Sequence, residues 1–377
     1  MPSPSLKLIA IGYAKRALEA GSRERLRMGQ YASVLSEYHV IVFTRESEKL
    51  PAFQQDGNLF LYGTNAKTRI GMMIEVVKIG RRITKQKQAT PWIVSCQDPF
   101  ETSLVGRLIS CGRKAVNHVQ IHGDVFNPIC SEGNFFQKLR VMYGRYVVRH
   151  TANIRVVSER IKNSLVALEV KASNIFVLPI QADLEEFLVV GRERPAAASA
   201  QPTHFLYVGR FSPEKNLSLL LEAFSQVAVN HKEATLTLAG DGPEKNNIVK
   251  FIESHQLQAQ IKITDWTNDV AGLMREVDVF CLSSNHEGWG MVLVEAAAAG
   301  LAVVTTNVGC AGEFIENNQQ GLVVPVGQAA AYAAAIQTYL TTPELISKHA
   351  QNAHQKAKSF SLSKDEYLQR FLDSYTL

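Results

Sequence analysis

The amino-acid sequence predicts an α/β protein built from two doubly wound parallel sheets. Three observations carry that reading. Short apolar runs alternate with longer amphipathic segments through both halves of the chain, the pattern of repeated strand–helix–strand units. The length, 377 residues, exceeds what one ordinary core accommodates and favours two domains of about 150–200 residues. A Pro- and Ala-rich stretch, residues 192–203, separates the two series and reads as a linker.

The first series, residues 1–190, has strand candidates at 6–11, 40–43, 58–62, 92–95, 115–121, 153–157 and 175–178. The first ends at Gly12 and a polar loop, 13–22, without the GxGxxG fingerprint of nicotinamide-binding folds. Helical character is expected over 24–35, 102–109 and 143–149. Residues 67–87 combine an apolar stripe with a basic end. Packing against the sheet accounts for the stripe most simply, and contact with a membrane surface is the alternative. Two strand ends carry polar groups, Asp98 after 92–95 and His122-Gly123-Asp124 after 115–121. Open α/β sheets place ligands at such ends.

The second series, 204–359, opens with a strand at 204–208, followed by Gly209-Arg210-Phe211-Ser212-Pro213-Glu214-Lys215-Asn216 and a helix over 217–227. Its next strands are 235–238, ending in Ala239-Gly240-Asp241-Gly242-Pro243, and 261–264, closing on Asp265-Trp266. The Gly240–Asp241 loop suits contact with a ribose or a base. An apolar strand at 277–282 and another at 301–305 then bracket the most informative stretch, Asn285-His286-Glu287-Gly288-Trp289-Gly290-Met291-Val292-Leu293-Val294-Glu295. A short Ala-rich helix beginning near Met291 offers unpaired N–H groups and the positive end of a dipole, which suits a phosphate. Gly288 and Gly290 allow the backbone to approach such a ligand. Glu287 and Glu295 flank the turn and can accept hydrogen bonds from hydroxyls at the two ends of one ligand. A phosphate between two hydroxyl-rich groups describes a nucleotide sugar.

Glu287 to Glu295 resembles the E-x7-E motif of the retaining glycosyltransferases of family 4, in the pattern EG(F/W)G-x4-EA-x2-G, and residues 277–306 as a whole are similar to that family's core. The run Gly209-Arg210…Glu214-Lys215-Asn216 is similar to its "GR…EKN" element. Val177-Leu178-Pro179, leading to Asp183 and Phe187, resembles its crossover, with Ile180-Gln181-Ala182 in place of asparagine-glycine-valine. The resemblance is strong over 205–327 and diffuse over 1–190. It implies a GT-B fold, with a C-terminal helix near 360–377 crossing back to the first domain. It also implies transfer of a sugar from a nucleotide donor, UDP- or GDP-linked, with retained anomeric configuration.

The same resemblance distributes the roles. Arg210 and Lys215 would stabilise the departing diphosphate, and Glu287 would hold hydroxyls of the donor sugar. Gly288, Trp289, Gly290, Met291 and Val292 would cradle sugar and phosphates, and Glu295 would take the ribose. Gly12, Gly209, Gly240, Asp241 and Trp266 complete the donor-binding set, with backbone groups near Trp266 reading the base. His122 would contact the sugar from the first domain, and Asp98 is a weaker acceptor-side candidate. No DxD stands beside these elements, so neither a metal nor another cofactor is expected. Two competing readings are a UDP-N-acetylglucosamine 2-epimerase, whose family lacks the Glu287–Glu295 pattern, and a sugar-nucleotide-binding protein without activity.

Composition narrows the setting. Hydrophobic residues make up 46% and charged residues 20%, as in soluble globular chains. No apolar run approaches the roughly 20 residues needed to span a bilayer, and the N-terminus shows no signal-peptide cleavage pattern. Cys96, Cys111, Cys130, Cys281 and Cys310 form no CxxC pair, which fits free thiols in a reducing cytoplasm. Residues 1–190 hold 26 basic and 16 acidic side chains, a balance of +10, against 14 and 19, a balance of −5, over 191–377. The basic half suits an anionic partner: a diphosphate-linked or lipid-linked acceptor, or the inner face of the plasma membrane. Nothing in the sequence suggests nucleic acid as a partner.

Overall fold

The structure, a computed structural model, describes residues 6–85, 90–126, 135–194 and 203–376. The chain divides into two compact units, Met1–Pro179 with Ser363–Leu377, and Ile180–Leu362.

Unit 1 holds strands β1 (Lys7–Gly12), β2 (Glu37–Val42), β3 (Phe53–Asp56), β4 (Leu59–Gly63), β5 (Trp92–Cys96), β6 (Ala115–Ile121), β7 (Asn153–Val156) and β8 (Ile175–Val177). Its helices are α1 (Arg23–Ala32), α2 (Arg69–Ile83), α3 (Glu101–Ser110), α4 (Phe135–Arg149) and α5 (Glu159–Ala167). The described strands form one sheet in the order β3-β4-β2-β1-β5-β6-β7-β8. All pairs are parallel except β3–β4, an antiparallel hairpin at the edge. The Gly57-Asn58 turn makes that hairpin, with Gly57 at φ 58°. β3 has no apolar alternation (Phe-Gln-Gln-Asp) and was not expected from the sequence.

Most of the apolar stripe of α2 is core: Val76 and Ile83 are buried among Ile9, Trp92, Val94, Val105 and Ile109, with Met72, Met73, Val77 and Ile79 packed against them. Ile70 and Ile74, one turn apart in its first half, are exposed instead. The packing reading of 67–87 therefore holds for six of the eight apolar residues; Lys87 lies outside the described residues.

Unit 2 holds α6 (Glu185–Glu193), β9 (His204–Val208), α7 (Leu217–Ala228), β10 (Thr235–Ala239), α8 (Lys245–Ser254), β11 (Ile261–Thr264), α9 (Val270–Arg275), β12 (Val279–Leu282), α10 (Met291–Ala298), β13 (Ala302–Thr306), β14 (Gly321–Val324), α11 (Ala329–Thr341) and α12 (Pro343–Phe360). Its described strands form a wholly parallel sheet, β11-β10-β9-β12-β13-β14. Central strands such as β12 and β13 are buried along their whole length. This explains why they read as unbroken apolar runs without alternation.

The division between units differs from the sequence reading. A first domain ending at 190, a second spanning 204–359 and a linker over 192–203 are corrected to a boundary at Pro179/Ile180. The reason is packing. α6 buries Phe187 and Val190, and Gly191 lies so close to unit 2 that a Cβ there would meet the Ala298 carbonyl at 2.4 Å. Arg194 donates to the carbonyls of Ala299 and Val277, at 2.8 and 2.6 Å. The Pro- and Ala-rich core of the expected linker, 195–202, lies outside the described residues.

The return helix α13 (Lys364–Asp373) belongs to unit 1. Its Phe371 stacks on Tyr31 at 4.2 Å between centroids. Its Tyr367 hydroxyl donates to the Pro179 carbonyl and accepts from Arg155, at 3.1 and 2.9 Å. Arg155 is buried and also donates to the Leu178 carbonyl. A buried cation surrounded by neutral acceptors thus ties the return helix to the end of β8.

Candidate functional site

In each sheet the strand order reverses once about the first strand of the unit: β1 lies between β2 and β5, and β9 between β10 and β12. Such switch points open a crevice at the carboxyl ends of the strands, where ligands bind. Arg210, Lys215 and Glu287 to Glu295 follow the strands that flank one of these points, and Gly12 and His122 lie at the strand ends of the other; Asp241 and Trp266 follow β10 and the edge strand β11, further out in the sheet.

In unit 2, the loop after β9 and the loop after β12 are stitched into one structure. Pro213–Lys215 form a single 3-10 turn, ending at Asn216 in the left-handed region, φ 47°. Asn285 N–H donates to the Glu214 carbonyl at 2.8 Å, Ser283 Oγ to the Lys215 carbonyl at 3.0 Å, and Asn216 Nδ2 to Asn285 Oδ1 at 2.9 Å. Those bonds fix the Lys215 ammonium 2.6 Å from Glu287 Oε1. Ser284 Oγ donates to the same carboxylate oxygen at 2.7 Å. Both charged side chains are mostly buried, Lys215 22% and Glu287 13% exposed. The pair is therefore held rigidly, yet each partner keeps capacity at the surface. An ammonium has three protons and a carboxylate several lone pairs, so one shared bond leaves both able to bind a ligand.

Directly after Glu287, Gly290 forms the N-cap of α10 at φ 84°, with no side chain capping the helix. A residue with a Cβ is disfavoured in that conformation. The first-turn amides of α10, at Met291 and Val292, therefore face outward without the usual cap. Met291, Val292 and Glu295 are the half-buried residues of the helix, whereas Leu293, Val294, Ala296, Ala297 and Ala298 are buried. Spaced i, i+3 and i, i+4, the three half-buried residues share one face. Gly288 is also half-buried.

Trp289 corrects its assignment. Its side chain is only 5% exposed and stacks on Phe360 at 5.8 Å. Its carbonyl accepts from Cys310 N–H at 2.7 Å. The indole anchors the turn from beneath and is not offered to a ligand.

The neighbouring loops come equally close. A Cβ on Gly240 would lie 2.0 Å from the Gly209 carbonyl oxygen, so only glycine lets the β10 loop rest on the β9 loop. Lys245 bridges Asp265 and Asp241 at 3.0 and 3.5 Å. Trp266 presents its indole to solvent, 61% exposed, and Arg210 is exposed with no ion pair to a described residue. Its carbonyl accepts from the buried Tyr207 hydroxyl at 3.1 Å. Burial, then the nearby Glu287 and Glu214 carboxylates, keep that phenol protonated.

In unit 1, Gly12, Gln97 and His122 meet at the ends of β1, β5 and β6. Gln97 Oε1 pairs with His122 Nε2 at 2.8 Å, and a Cβ on Gly12 would touch the Gln97 side chain at 2.7 Å. Desolvation, aided by Arg155 and Arg27, holds the His122 pKa down at about 3, so the ring is neutral at physiological pH. Its buried Nδ1 has no partner. With Nε2 donating to the Gln97 carbonyl oxygen, Nδ1 is left as an acceptor for a hydroxyl. Asp98 is instead a structural cap: its carboxylate accepts from Phe100 N–H at 2.7 Å at the start of α3, and burial raises its pKa. Gln97, Ser284 and Asn285 are given no role by the sequence reading, although each follows the end of an expected strand.

Among the described residues, no group of three His, Cys, Asp or Glu side chains is placed to hold a metal ion. No described helix is long and apolar enough to cross a membrane. Among the described residues, Cys96, Cys111, Cys281 and Cys310 form no disulfide; Cys130 lies outside the described residues.

Comparison with known proteins bears on both units. Residues 192–359 match the family of glycosyl transferases group 1. The glycogen synthase of Mycobacterium tuberculosis is 31% identical over 160 residues, 42% of this chain and 39% of that protein. The lipopolysaccharide core biosynthesis glycosyltransferase LpsE of Rhizobium meliloti is 30% identical over 148 residues, 39% of this chain and 42% of that protein. The matches to these two curated relatives thus span about two fifths of their length. Among solved structures, Anabaena Alr3699/HepE in complex with UDP superposes with a TM-score of 0.75 at 17% identity, over 98% of this chain and all of that one. Two parallel-sheet units in this arrangement of elements are the GT-B fold.

Proposed function

We propose that the protein is a retaining glycosyltransferase of family 4, moving a sugar from a UDP- or GDP-sugar to a sugar, glycan or lipid-linked acceptor. Assembly of polysaccharide, lipopolysaccharide or glycolipid at the cytoplasmic side of a membrane is the proposed setting. The observation that carries the reading is the Lys215–Glu287 pair, 2.6 Å apart, beside the uncapped start of α10 with Glu295 on its open face. A group that is anionic in the middle and rich in hydroxyls at both ends matches that arrangement.

In this proposal, the outward amides of Met291 and Val292 take the donor phosphates, and the free protons of Lys215 with the exposed Arg210 neutralise charge as the diphosphate leaves. Glu287 accepts from hydroxyls of the donor sugar and Glu295 from the ribose. Unit 1 binds the acceptor, and neutral His122 accepts a sugar hydroxyl at Nδ1. The bond from the anomeric carbon to the diphosphate oxygen breaks, and a bond from that carbon to the acceptor oxygen forms on the same face. The acceptor proton passes to the departing diphosphate. Two cations at the leaving group are the basis for proposing metal independence. The UDP held by Alr3699/HepE favours a uridine donor.

Thermal-shift screening of UDP- and GDP-sugars tests donor binding, because a ligand that binds the folded state raises the melting temperature. Product analysis by NMR with the stabilising donor then tests the reaction. A new glycoside of the donor's anomeric configuration is expected; an inverted product overturns the retaining assignment. Free epimerised sugar nucleotide marks an epimerase, and binding without turnover marks a binding protein. Activity is expected to survive EDTA. Loss on chelation, restored by manganese or magnesium, overturns metal independence.

A further inference from the structure

Unit 1 carries a surface that the proposed reaction leaves unused. Helix α4 turns Phe135, Leu139, Met142 and Tyr146 to solvent, with exposures of 69, 42, 64 and 50%. Their spacing, i, i+4, i+7 and i+11, is one stripe along the helix. Phe136, beside the first of them, is 76% exposed. The opposite face is already packed, with Val141, Gly144, Val147 and Val148 buried and Gly144 set against Phe100 and Phe126. The outward stripe is therefore surplus to the core of unit 1. Single exposed hydrophobes are ordinary, but a contiguous row of large ones marks an interaction surface.

The charges carried by α4 itself have one sign. The sequence of α4, FFQKLRVMYGRYVVR, contains no acidic residue. Arg140 and Arg149 are paired with Glu101 and Glu169. Lys138 and Arg145 are exposed and form no ion pair with a described residue. The adjoining α3 extends the surface: Arg107 lies over the Tyr146 ring at 5.2 Å, and Leu104 and Leu108, one helical turn apart, are also exposed. Apolar side chains that can enter the acyl boundary, with cations at headgroup depth beside them, fit an anionic bilayer surface.

We propose that α4, with the exposed edge of α3, docks on an anionic lipid membrane. Phe135, Phe136, Met142 and Tyr146 insert at the headgroup boundary, and Lys138 and Arg145 engage lipid phosphates. The expected basic contact thereby moves from 67–87, where only Ile70 and Ile74 of the apolar stripe are exposed, to the longer exposed row of α4. The inference does not rest on the transferase reading, since binding to lipid is measured without donor or acceptor.

The test is co-sedimentation of the full chain with vesicles of phosphatidylcholine alone and with about one third phosphatidylglycerol. Wild type is expected to pellet with the anionic vesicles and not with the neutral ones. Phe135→Ser/Phe136→Ser and Lys138→Glu/Arg145→Glu should each lower partitioning at least about tenfold. The melting temperature should not change, because these side chains are exposed. Equal or negligible binding to both vesicle types overturns the proposal. So does undiminished binding by both variants. A concentration-dependent dimer in light scattering that Phe135→Ser/Phe136→Ser dissolves would assign the stripe to a second copy of the chain and overturn it as well.

Discussion

The ends of the two sheets solve the same placement problem with opposite electrostatics. Unit 2 keeps charge at its switch point: Lys215 with Glu287, Lys245 between Asp241 and Asp265, and an exposed Arg210. Unit 1 suppresses it. Desolvation holds His118 and His122 neutral at pKa values of about 3 and raises the Cys96 thiol and the Asp98 carboxyl. The stitching differs too. In unit 2, one main-chain bond and the side chains of Ser283, Asn216 and Asn285 join the two loops, and Gly240 rests on a backbone carbonyl. In unit 1, Gly12 rests on the Gln97 side chain, which pairs with His122.

The largest expected effect breaks the charged half of this comparison. Lys215→Ala and Glu287→Gln should keep the fold, read by circular dichroism, but lose two to three decades in kcat/KM, about 3–4 kcal/mol of barrier. His122→Asn keeps a neutral polar group at the unit 1 position and should lose less than either. Wild-type turnover in a folded Lys215 or Glu287 variant would remove the site assignment. A larger loss at His122 would reverse the ranking of the two units.

Smaller, but sharper for the stitching, is a pair of glycine substitutions. In Gly240→Ala the new methyl meets a backbone oxygen at 2.0 Å, at φ 155°, and neither side can yield. A loss of at least about 3 kcal/mol is expected in urea unfolding. In Gly12→Ala the obstacle is the Gln97 side chain at 2.7 Å, which can rotate away. That variant should stay within about 1 kcal/mol of wild type while disturbing His122, and so show up mainly in activity. Equal stability costs would mean that both ends are equally rigid.

The same contrast explains what the sequence could reveal. The unit 2 site was legible because its carriers are nearly contiguous: Glu287, Gly288, Gly290, Met291, Val292 and Glu295 lie in one turn and one short helix, with Lys215 in a second compact element. Hidden there were the bond that crosses the chain, Asn216 to Asn285, the local bond from Ser284 to Glu287, and the burial of Trp289, set by Phe360 some seventy residues on. In unit 1 the alternation of strands and helices was readable, but β3 lacked an apolar pattern. The first half of α4 was missed because its large apolar residues face outward, against the rule by which a helix is recognised. The boundary was drawn at the Pro- and Ala-rich stretch by composition. The packing of Phe187, Val190 and Arg194 decides it instead.

The smallest effect concerns the neutral half of the comparison and acid. His118 is fully buried in β6, its Nδ1 3.1 Å from Ser95 Oγ and its Nε2 without a partner. Desolvation, followed by Arg155, depresses its pKa to about 3, whereas an unfolded histidine titrates near 6.5. Between those values the unfolded chain binds one more proton than the folded one, so stability increases with pH across that window. Acidifying from pH 6.5 therefore removes stability at up to about 1.4 kcal/mol per pH unit for this group. The loss levels off as the folded pKa is reached. His39 and His122 are depressed in the same direction and add to the slope. Glu37 and Glu101, with lowered pKa values, take effect only below the usual carboxylate range, whereas Asp98, raised by burial, acts above its ordinary value and opposes the histidine slope. Trp92 is the tryptophan of unit 1 and is buried. With Trp266→Phe and Trp289→Phe as background, its fluorescence reports that unit alone during urea unfolding. His118→Gln in this background should flatten the dependence of the urea midpoint on pH by about one proton's worth. An unchanged slope would show that His118 is charged or solvated in the folded protein, and that unit 1 does not hold its buried histidines neutral, as the contrast with unit 2 requires.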